Sequence, residues 1–429
     1  MTANGLTGLA REIAASESSL REPCGEAEPI LPPFAVVDLP DWLESVRIFR
    51  RIGAPLIGQL PARDCPACGE ARHHHLFNSF DGYPYHACEE CGTWFVPLEV
   101  DYRLFSRLID ASEEYRSLES RIVRARQTPE RAEADRARFR SELDALEPLL
   151  AAMVGRERRL LDIGCGMGYS LEVARERGLE AAGIEVEPQS VASCRSRGLD
   201  VGSNRTQLRG GSAGPDGAHA ARRFSVISMF ETAEHLVDPA GTLAAHVDLL
   251  DERGLVILTV PNLDSPSVRI LRERLSWLYG GTYTPGHINF FSRTSIARLL
   301  TRCGLVPLAV ESVYGMDQLE LHAFMTGQYG GIEDVIEGRG TGPRRSPIAR
   351  QAALTLGPVI SLFERALSIG PLLRVVATRG SDVAALRPAL ESFTRARLDE
   401  LTTQASAVLP PAAAPIAVTP TFGRRTAIG

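Results

Sequence analysis

The sequence predicts an α/β fold built on a largely parallel sheet, with a small cysteine-rich module and a helical segment ahead of it. Three observations lead there. From Arg159 onward, short apolar runs alternate with segments long enough to be crossover helices. The first of those runs ends in an acid and three alternating glycines, "RLLDIGCGMGYSLE", which reads as strand, tight turn and helix start. Upstream stand two closely spaced C-x-x-C-G units.

The chain has 429 residues, enough for two or three domains of ordinary size. Apolar residues make up 44% and charged ones 23%, a globular profile. A net charge of −6 argues against a nucleic-acid partner. All 47 basic residues are arginine, which excludes lysine Schiff-base and P-loop chemistry. The start, "MTANGLTGLAREIAASESS", has no basic region followed by a long apolar core. No run of about 18 apolar residues occurs for a spanning helix. With the paired cysteines, this gives an expected cytoplasmic, reducing setting.

Residues 1–60 read as an N-terminal arm, partly disordered, because the first thirty are polar and without period. A cysteine-, histidine- and aromatic-rich module follows over 61–100, then a helical segment over 101–155. There Thr128, Pro129 and Glu130 read as a helix start dividing two helices, and Phe139, Leu143, Leu146 and Leu150 form one apolar stripe of the second. The main domain is expected over 156–380. Its strands are "RLLDI", "AAGIE", "FSVISMF" and "GLVILTV", with two more near residues 305 and 372 and an insertion over about 318–365. Residues 381–429 read as a helix and a disordered Pro/Ala-rich tail.

Cys65, Cys68, Cys88 and Cys91 form a C-x2-C-x19-C-x2-C array, each pair followed by a glycine. Two copies of one turn point to four thiolates around a structural zinc ion. Four sulfurs fill a tetrahedron, so His73, His74, His75 and His86 read as surface residues and the module as a device for shape or recognition.

A dinucleotide site would read G-x-G-x-x-G, but here the glycines are Gly164, Gly166 and Gly168, and Tyr169 takes the third dinucleotide position. Asp162 stands immediately before the loop. A carboxylate there repels a pyrophosphate and favours a cofactor with a cationic amino-acid end. Glu185, 23 residues further on, ends the second strand and suits ribose hydroxyls.

These residues resemble the class I S-adenosylmethionine-dependent methyltransferases, whose first motif reads approximately D-x-G-x-G-x-G. "GIEVEPQSV" resembles the second motif, "FSVISMFETAEHLVDP" the fourth-strand motif with its Glu234–His235 pair, "GLVILTVPN" the fifth strand and "GHINFFSRTSIARLLTRCGL" the stretch leading into the next helix. The resemblance covers about Arg159 to Leu305 and the final strand near Val375, and implies a Rossmann-like sheet of seven strands, the last antiparallel. It implies S-adenosylmethionine held by Asp162, the three glycines and Glu185. Two departures stand out: no acid is evident in "VGSNRTQLRGGSAGPDGAHAARR" to read adenine, and Ser225 replaces an aspartate of the fourth strand.

For an acceptor that loses a proton, His235 is the expected base, with Glu234 orienting it or binding substrate; the competing reading is that both only cap and orient the next helix. Trp277, Tyr279, Tyr283, His287 and Phe290 read either as lid aromatics or as packing residues. A zinc ribbon ahead of this catalytic domain is similar to methyltransferases of sugar and natural-product pathways. The expected partner is therefore a small molecule or a glycoconjugate or lipid-linked precursor. The alternatives are RNA methylation and a non-catalytic cofactor-binding scaffold. "IARQAALTLGPVISLFERALSIGPLL" reads first as a buried helix or dimer contact, and alternatively as an interfacial helix giving peripheral membrane contact. The oligomeric state is not legible.

Overall fold

A computed structural model describes residues 39–408, apart from 80–81, most of 101–111, 152–157, 209–221, 272–285 and 315–346. The arm's first thirty residues, Trp277, Tyr279, Tyr283 and the tail from 409 lie outside the described residues, as do most of the Gly- and Arg-rich stretch and the first part of the insertion. The described residues fall in one unit, Pro32–Gly429.

Within the segment expected as an arm, α1 (Leu39–Ile48) passes through a π-helical turn, Phe49–Gly53, into a short helix, Ala54–Ile57. Val46, Phe49 and Ile57 are buried, because apolar residues three and eight positions apart share one helix face. The cysteine module contributes β1 (His73–Asn78), β2 (Pro84–Cys88) and β3 (Trp94–Phe95), paired antiparallel in that order. Two helices follow, α2 (Glu113–Arg126) and α3 (Pro129–Ala151), split at the expected threonine–proline step. Leu143, Leu146 and Leu150 of the expected stripe are buried together with Leu149, and Phe139 packs at their edge.

The main domain runs β4 (Arg159–Ile163), α4 (Tyr169–Glu176), β5 (Glu180–Ile184), α5 (Pro188–Ser196), β6 (Asp200–Gly202), β7 (Phe224–Phe230), α6 (Pro239–Val247) and β8 (Leu250–Pro261). It continues with α7 (Pro266–Leu271), β9 (Asn289–Phe290), α8 (Arg293–Arg302), β10 (Leu305–Tyr314), α9 (Pro347–Leu367), β11 (Leu372–Arg379) and α10 (Val383–Val408). The seven-stranded sheet has the order β10-β11-β8-β7-β4-β5-β6. β4 to β8 pair in parallel, and β11 enters antiparallel to both β8 and β10. All seven residues of β7 are buried, as a strand covered on both faces requires. Ser225, which replaces the expected aspartate, ties β7 to β4 by accepting from the Arg159 amide and donating to the Arg159 carbonyl.

The chain goes from β4 outward to β6 and then returns to the other side of β4 as β7. That reversal opens a crevice at the carboxyl ends of β4 and β7, where ligands of open α/β sheets bind. A second sheet, β1-β2-β3-β9, lies over this edge: Trp94 pairs with Phe290 and Phe95 with Asn289, so a strand of the main domain completes the cysteine module's sheet. Phe290 is therefore a core residue packed with Tyr85, one of the two roles its sequence context left open.

The described part of the insertion, α9, buries Ala353 and Leu362 but exposes Ile348, Leu354, Leu356, Phe363 and Leu367. No helix among the described residues is long and apolar enough to cross a membrane. Behind the sheet, Arg374 of β11 is buried and bridges Glu142 of α3 to Glu311 of β10, and Arg397 of α10 reaches the same Glu311.

Candidate active site and metal centre

The two cysteine knuckles have the same local geometry. The Gly69 amide donates to the Cys65 carbonyl (2.8 Å) and the Gly92 amide to the Cys88 carbonyl (3.0 Å), and both glycines take positive φ, 77° and 72°. A side chain in that conformation would be strained, which is why each pair needs its glycine. All four Sγ atoms lie within 4.8 Å of one another, with Cys65–Cys91 and Cys68–Cys88 at 3.5 Å. Zn–S bonds of about 2.3 Å in a tetrahedron place sulfurs just under about 4 Å apart, so the donor set fits a structural zinc ion. His73, His74, His75 and His86 are not part of this group; His74 and His75 are exposed as expected, whereas His73 and His86 are half-buried, meet through Nδ1 atoms 2.8 Å apart, and His73 packs edge-on against Phe95.

At the crevice, Asp162 ends β4 with its carboxylate buried. Oδ2 accepts from the Ser170 hydroxyl and Oδ1 from the Ser228 hydroxyl at 2.8 Å. Burial pushes its pKa up to about 7, although both hydroxyl bonds pull it down. The glycine loop wraps over it. Gly164 (φ 78°) has no room for a side chain, since a Cβ would lie 2.4 Å from Thr232, whereas the space beside Gly166 is open. Glu185 Oε2 accepts the Gly166 amide and Oε1 the Glu187 amide, both at 2.8 Å. Burial raises the Glu185 pKa, and these amide bonds oppose that. Each oxygen keeps a second lone pair for a ligand hydroxyl. Asp162, in β4, and Glu185, just past the neighbouring β5, thus flank the glycine loop, beside whose Gly166 the space is open.

The end of β7 supplies the third wall. Glu231 holds φ 49°, unusual for a residue with a side chain; its amide donates to both the Thr259 carbonyl and hydroxyl, and its carboxylate pairs with Arg138 of α3. A single 3₁₀ turn, Ala233–His235, then places Glu234 inward and His235 at the surface. Neither Glu234 oxygen has a hydrogen-bond partner among the described residues, and burial pushes its pKa up to about 8. His287 Nε2 stands 3.9 Å from Glu234 Oε1, and burial lowers the His287 pKa well below its usual value. His235 Nδ1 lies 3.1 Å from the Gly286 carbonyl. A carbonyl only accepts, so Nδ1 carries the proton and Nε2 is the basic nitrogen. Glu234, His235 and His287 also bring ligand atoms within 4.8 Å of one another, a carboxylate–imidazole set able to hold a cation.

The structure thus gathers Asp162, Gly164, Gly166, Gly168, Glu185, Glu234 and His235 along one sheet edge. Sequence reasoning missed the serines under Asp162, the strained Glu231 and the partnership of His287 with Glu234. For His287 the "GHINFF" stretch was a signal, since a histidine before a strand end is placed near the catalytic edge; Ser170 and Ser228 gave none.

Residues 125–310 match the family model described as "Methyltransferase domain". Two ubiquinone biosynthesis O-methyltransferases are similar to the chain. The protein from Leptothrix cholodnii is 30% identical over 109 residues, covering 25% of this chain and 46% of that protein. The one from Cereibacter sphaeroides is 28% identical over 158 residues, covering 35% and 61%. The chain therefore spans about half to three fifths of the relatives it matches. Among solved structures, the plantazolicin methyltransferase BamL with SAH shares 15% identity at a TM-score of 0.36, covering 63% of this chain and 92% of that one. The sheet order, the antiparallel last strand, the glycine loop and the matched segment agree with one another. Residues 125–310 thus match a methyltransferase domain, and the sheet around them has the order and antiparallel last strand that the resemblance to class I S-adenosylmethionine-dependent methyltransferases implies.

Proposed function

We propose that this protein is an enzyme that transfers a methyl group from S-adenosylmethionine to an oxygen, nitrogen or carbon nucleophile of a small molecule or of a glycoconjugate or lipid-linked precursor. The observation that carries this reading is the opening beside Gly166, bounded by Glu185 on one side and by the Asp162 charge beneath. When bound, the cofactor supplies an electrophilic methyl carbon. Glu185 would accept the ribose hydroxyls with its remaining lone pairs, and Asp162 would favour the cationic amino-acid end across the thin glycine loop. His235 Nε2 would take the acceptor's proton, with Glu234 and His287 behind it. The four cysteines would hold zinc as a structural element and leave no position for substrate.

A lipid-linked acceptor is favoured by the row of exposed apolar side chains on α9, which suits a lipid surface better than water. Incubation of the protein with isotopically labelled cofactor and cell extract tests the reading: an extract component should gain one labelled methyl group. If the cofactor binds but no component gains label from aqueous or lipid extracts, the protein is a cofactor-binding scaffold. Co-sedimentation with anionic liposomes tests the lipid part alone.

A further inference from the structure

We propose that the zinc module is a positioning device for His235, acting through Arg63 and Tyr85, rather than a separate recognition element. The proposal rests on the reading of His235 as the proton acceptor and extends it to residues far from the crevice in sequence.

Two hydrogen-bonded routes join the module to the His235 imidazole. The first passes through the backbone that faces the ring. Tyr85 of β2 donates its hydroxyl hydrogen bond to the His287 carbonyl. Arg63 Nη2 donates to the Ile288 carbonyl at 3.2 Å, which also accepts the Val96 amide at 2.9 Å. The segment that carries the Gly286 carbonyl is therefore pinned from the module, and that carbonyl fixes the proton of His235 on Nδ1.

The second route clamps the turn that carries His235. Arg63 Nη2 donates to Asn289 Oδ1 at 2.7 Å, and Asn289 Nδ2 donates in turn to the carbonyls of Ala233 (3.0 Å) and Leu236 (2.8 Å), on either side of Glu234 and His235. Arg63 Nη1 also donates to the Val237 carbonyl at 2.6 Å, while its Nε donates to the Val96 carbonyl at 2.8 Å. One guanidinium thus holds the end of β3, the start of β9 and the turn that carries His235 in a fixed relation. A planar fork of five donors suits this; an ammonium does not. Arg63 stands two residues before Cys65, the first zinc-knuckle cysteine, whose amide donates to the Glu70 carbonyl at 3.0 Å and is thereby fixed by the knuckle turn. The metal-held knuckle therefore sets where Arg63 begins.

A buried turn that merely needed closing could be closed by apolar packing. Here instead five acceptors around His235, the carbonyls of Leu236, Val237, His287 and Ile288 and Asn289 Oδ1, are satisfied from the module, which is how a supporting shell holds a reacting group to within a fraction of an ångström.

The test compares the zinc-loaded full chain with its Tyr85→Phe and Arg63→Lys variants. Phenylalanine keeps the ring in its core position and removes only the donor. Zinc content and the dissociation constant for S-adenosylmethionine should match the parent. The imidazole nitrogens of His235, followed by NMR in the labelled full-length protein and assigned with His235→Gln, should report one Nδ1–H tautomer in the parent and a mixture in Tyr85→Phe. This readout needs no turnover, so it stands even if no methyl acceptor exists. With an acceptor in hand, kcat should fall roughly 10- to 100-fold with KM little changed, and the pH profile of kcat should move. Folded, zinc-loaded variants whose His235 tautomer and titration equal the parent's would overturn the proposal. If Arg63→Lys fails to fold, Tyr85→Phe alone decides it.

Discussion

The His235 ring and the Gly286 carbonyl face each other across 3.1 Å, and that one contact assigns the ring's chemistry. With Nδ1 protonated, Nε2 is the nitrogen proposed to take the acceptor's proton. Replacing His235 by asparagine, which can still donate to a nearby carbonyl, should lower kcat by about 10²- to 10⁴-fold, the ordinary contribution of a general base. Cofactor affinity measured by calorimetry should stay within about twofold, because the cradle lies on the other side of the turn. A kcat close to the parent's would remove His235 as proton acceptor.

If Asp162 faces the cofactor's cationic end as proposed, cofactor binding should depend on pH. Its carboxyl is raised to about 7 by burial, so the unliganded protein is largely protonated there below neutrality. A cationic ligand favours the carboxylate and lowers that pKa, so binding releases a proton. Affinity should be greatest above pH 7 and fall by up to about tenfold per unit as pH drops below it. Calorimetry in buffers of differing ionisation enthalpy at pH 6.5 should show net proton release; net uptake would contradict this account of Asp162.

How much of this was legible in advance follows from how local each feature is. β7 was readable because seven consecutive apolar or small residues are what a doubly covered strand demands. The glycine loop and the knuckles were readable because each is a turn encoded within a few residues. Arg63 and Asn289 were not, since they lie 226 residues apart in sequence and nothing in either neighbourhood announces the pairing. Nor was the helix at Leu39–Ile48 foreseen, because its apolar spacing is short and interrupted by charge. Glu234 was foreseen as a partner of His235, but its isolation in the interior depends on tertiary packing alone.

The cysteine group makes a stoichiometric claim. Purified protein should carry one zinc per chain, and Cys68→Ser should lose it and melt at lower temperature. Because β3 of the module pairs with β9, loss of the metal should loosen the main domain's edge as well. Hydrogen exchange over residues 286–291 should therefore accelerate in Cys68→Ser; unchanged protection there would separate the two units.

Arg374 supplies a stability test independent of function. Its guanidinium is 2% exposed and is shared between Glu142 and Glu311. Glu142→Ala leaves that charge short of a partner and should cost about 3–5 kcal/mol in urea unfolding. Glu142→Ala combined with Arg374→Met should recover most of the loss. A single-variant cost below about 1 kcal/mol would mean that Glu311 and Arg397 rearrange to compensate.

Calorimetric titration of the full chain, in parallel, with S-adenosylmethionine, S-adenosylhomocysteine and NAD bears most directly on the central claim. The open glycine cradle between Asp162 and Glu185 should give saturable heat with both adenosyl compounds, and none with NAD, whose pyrophosphate would face the Asp162 charge. Saturable binding of NAD with no heat from either adenosyl compound would contradict it.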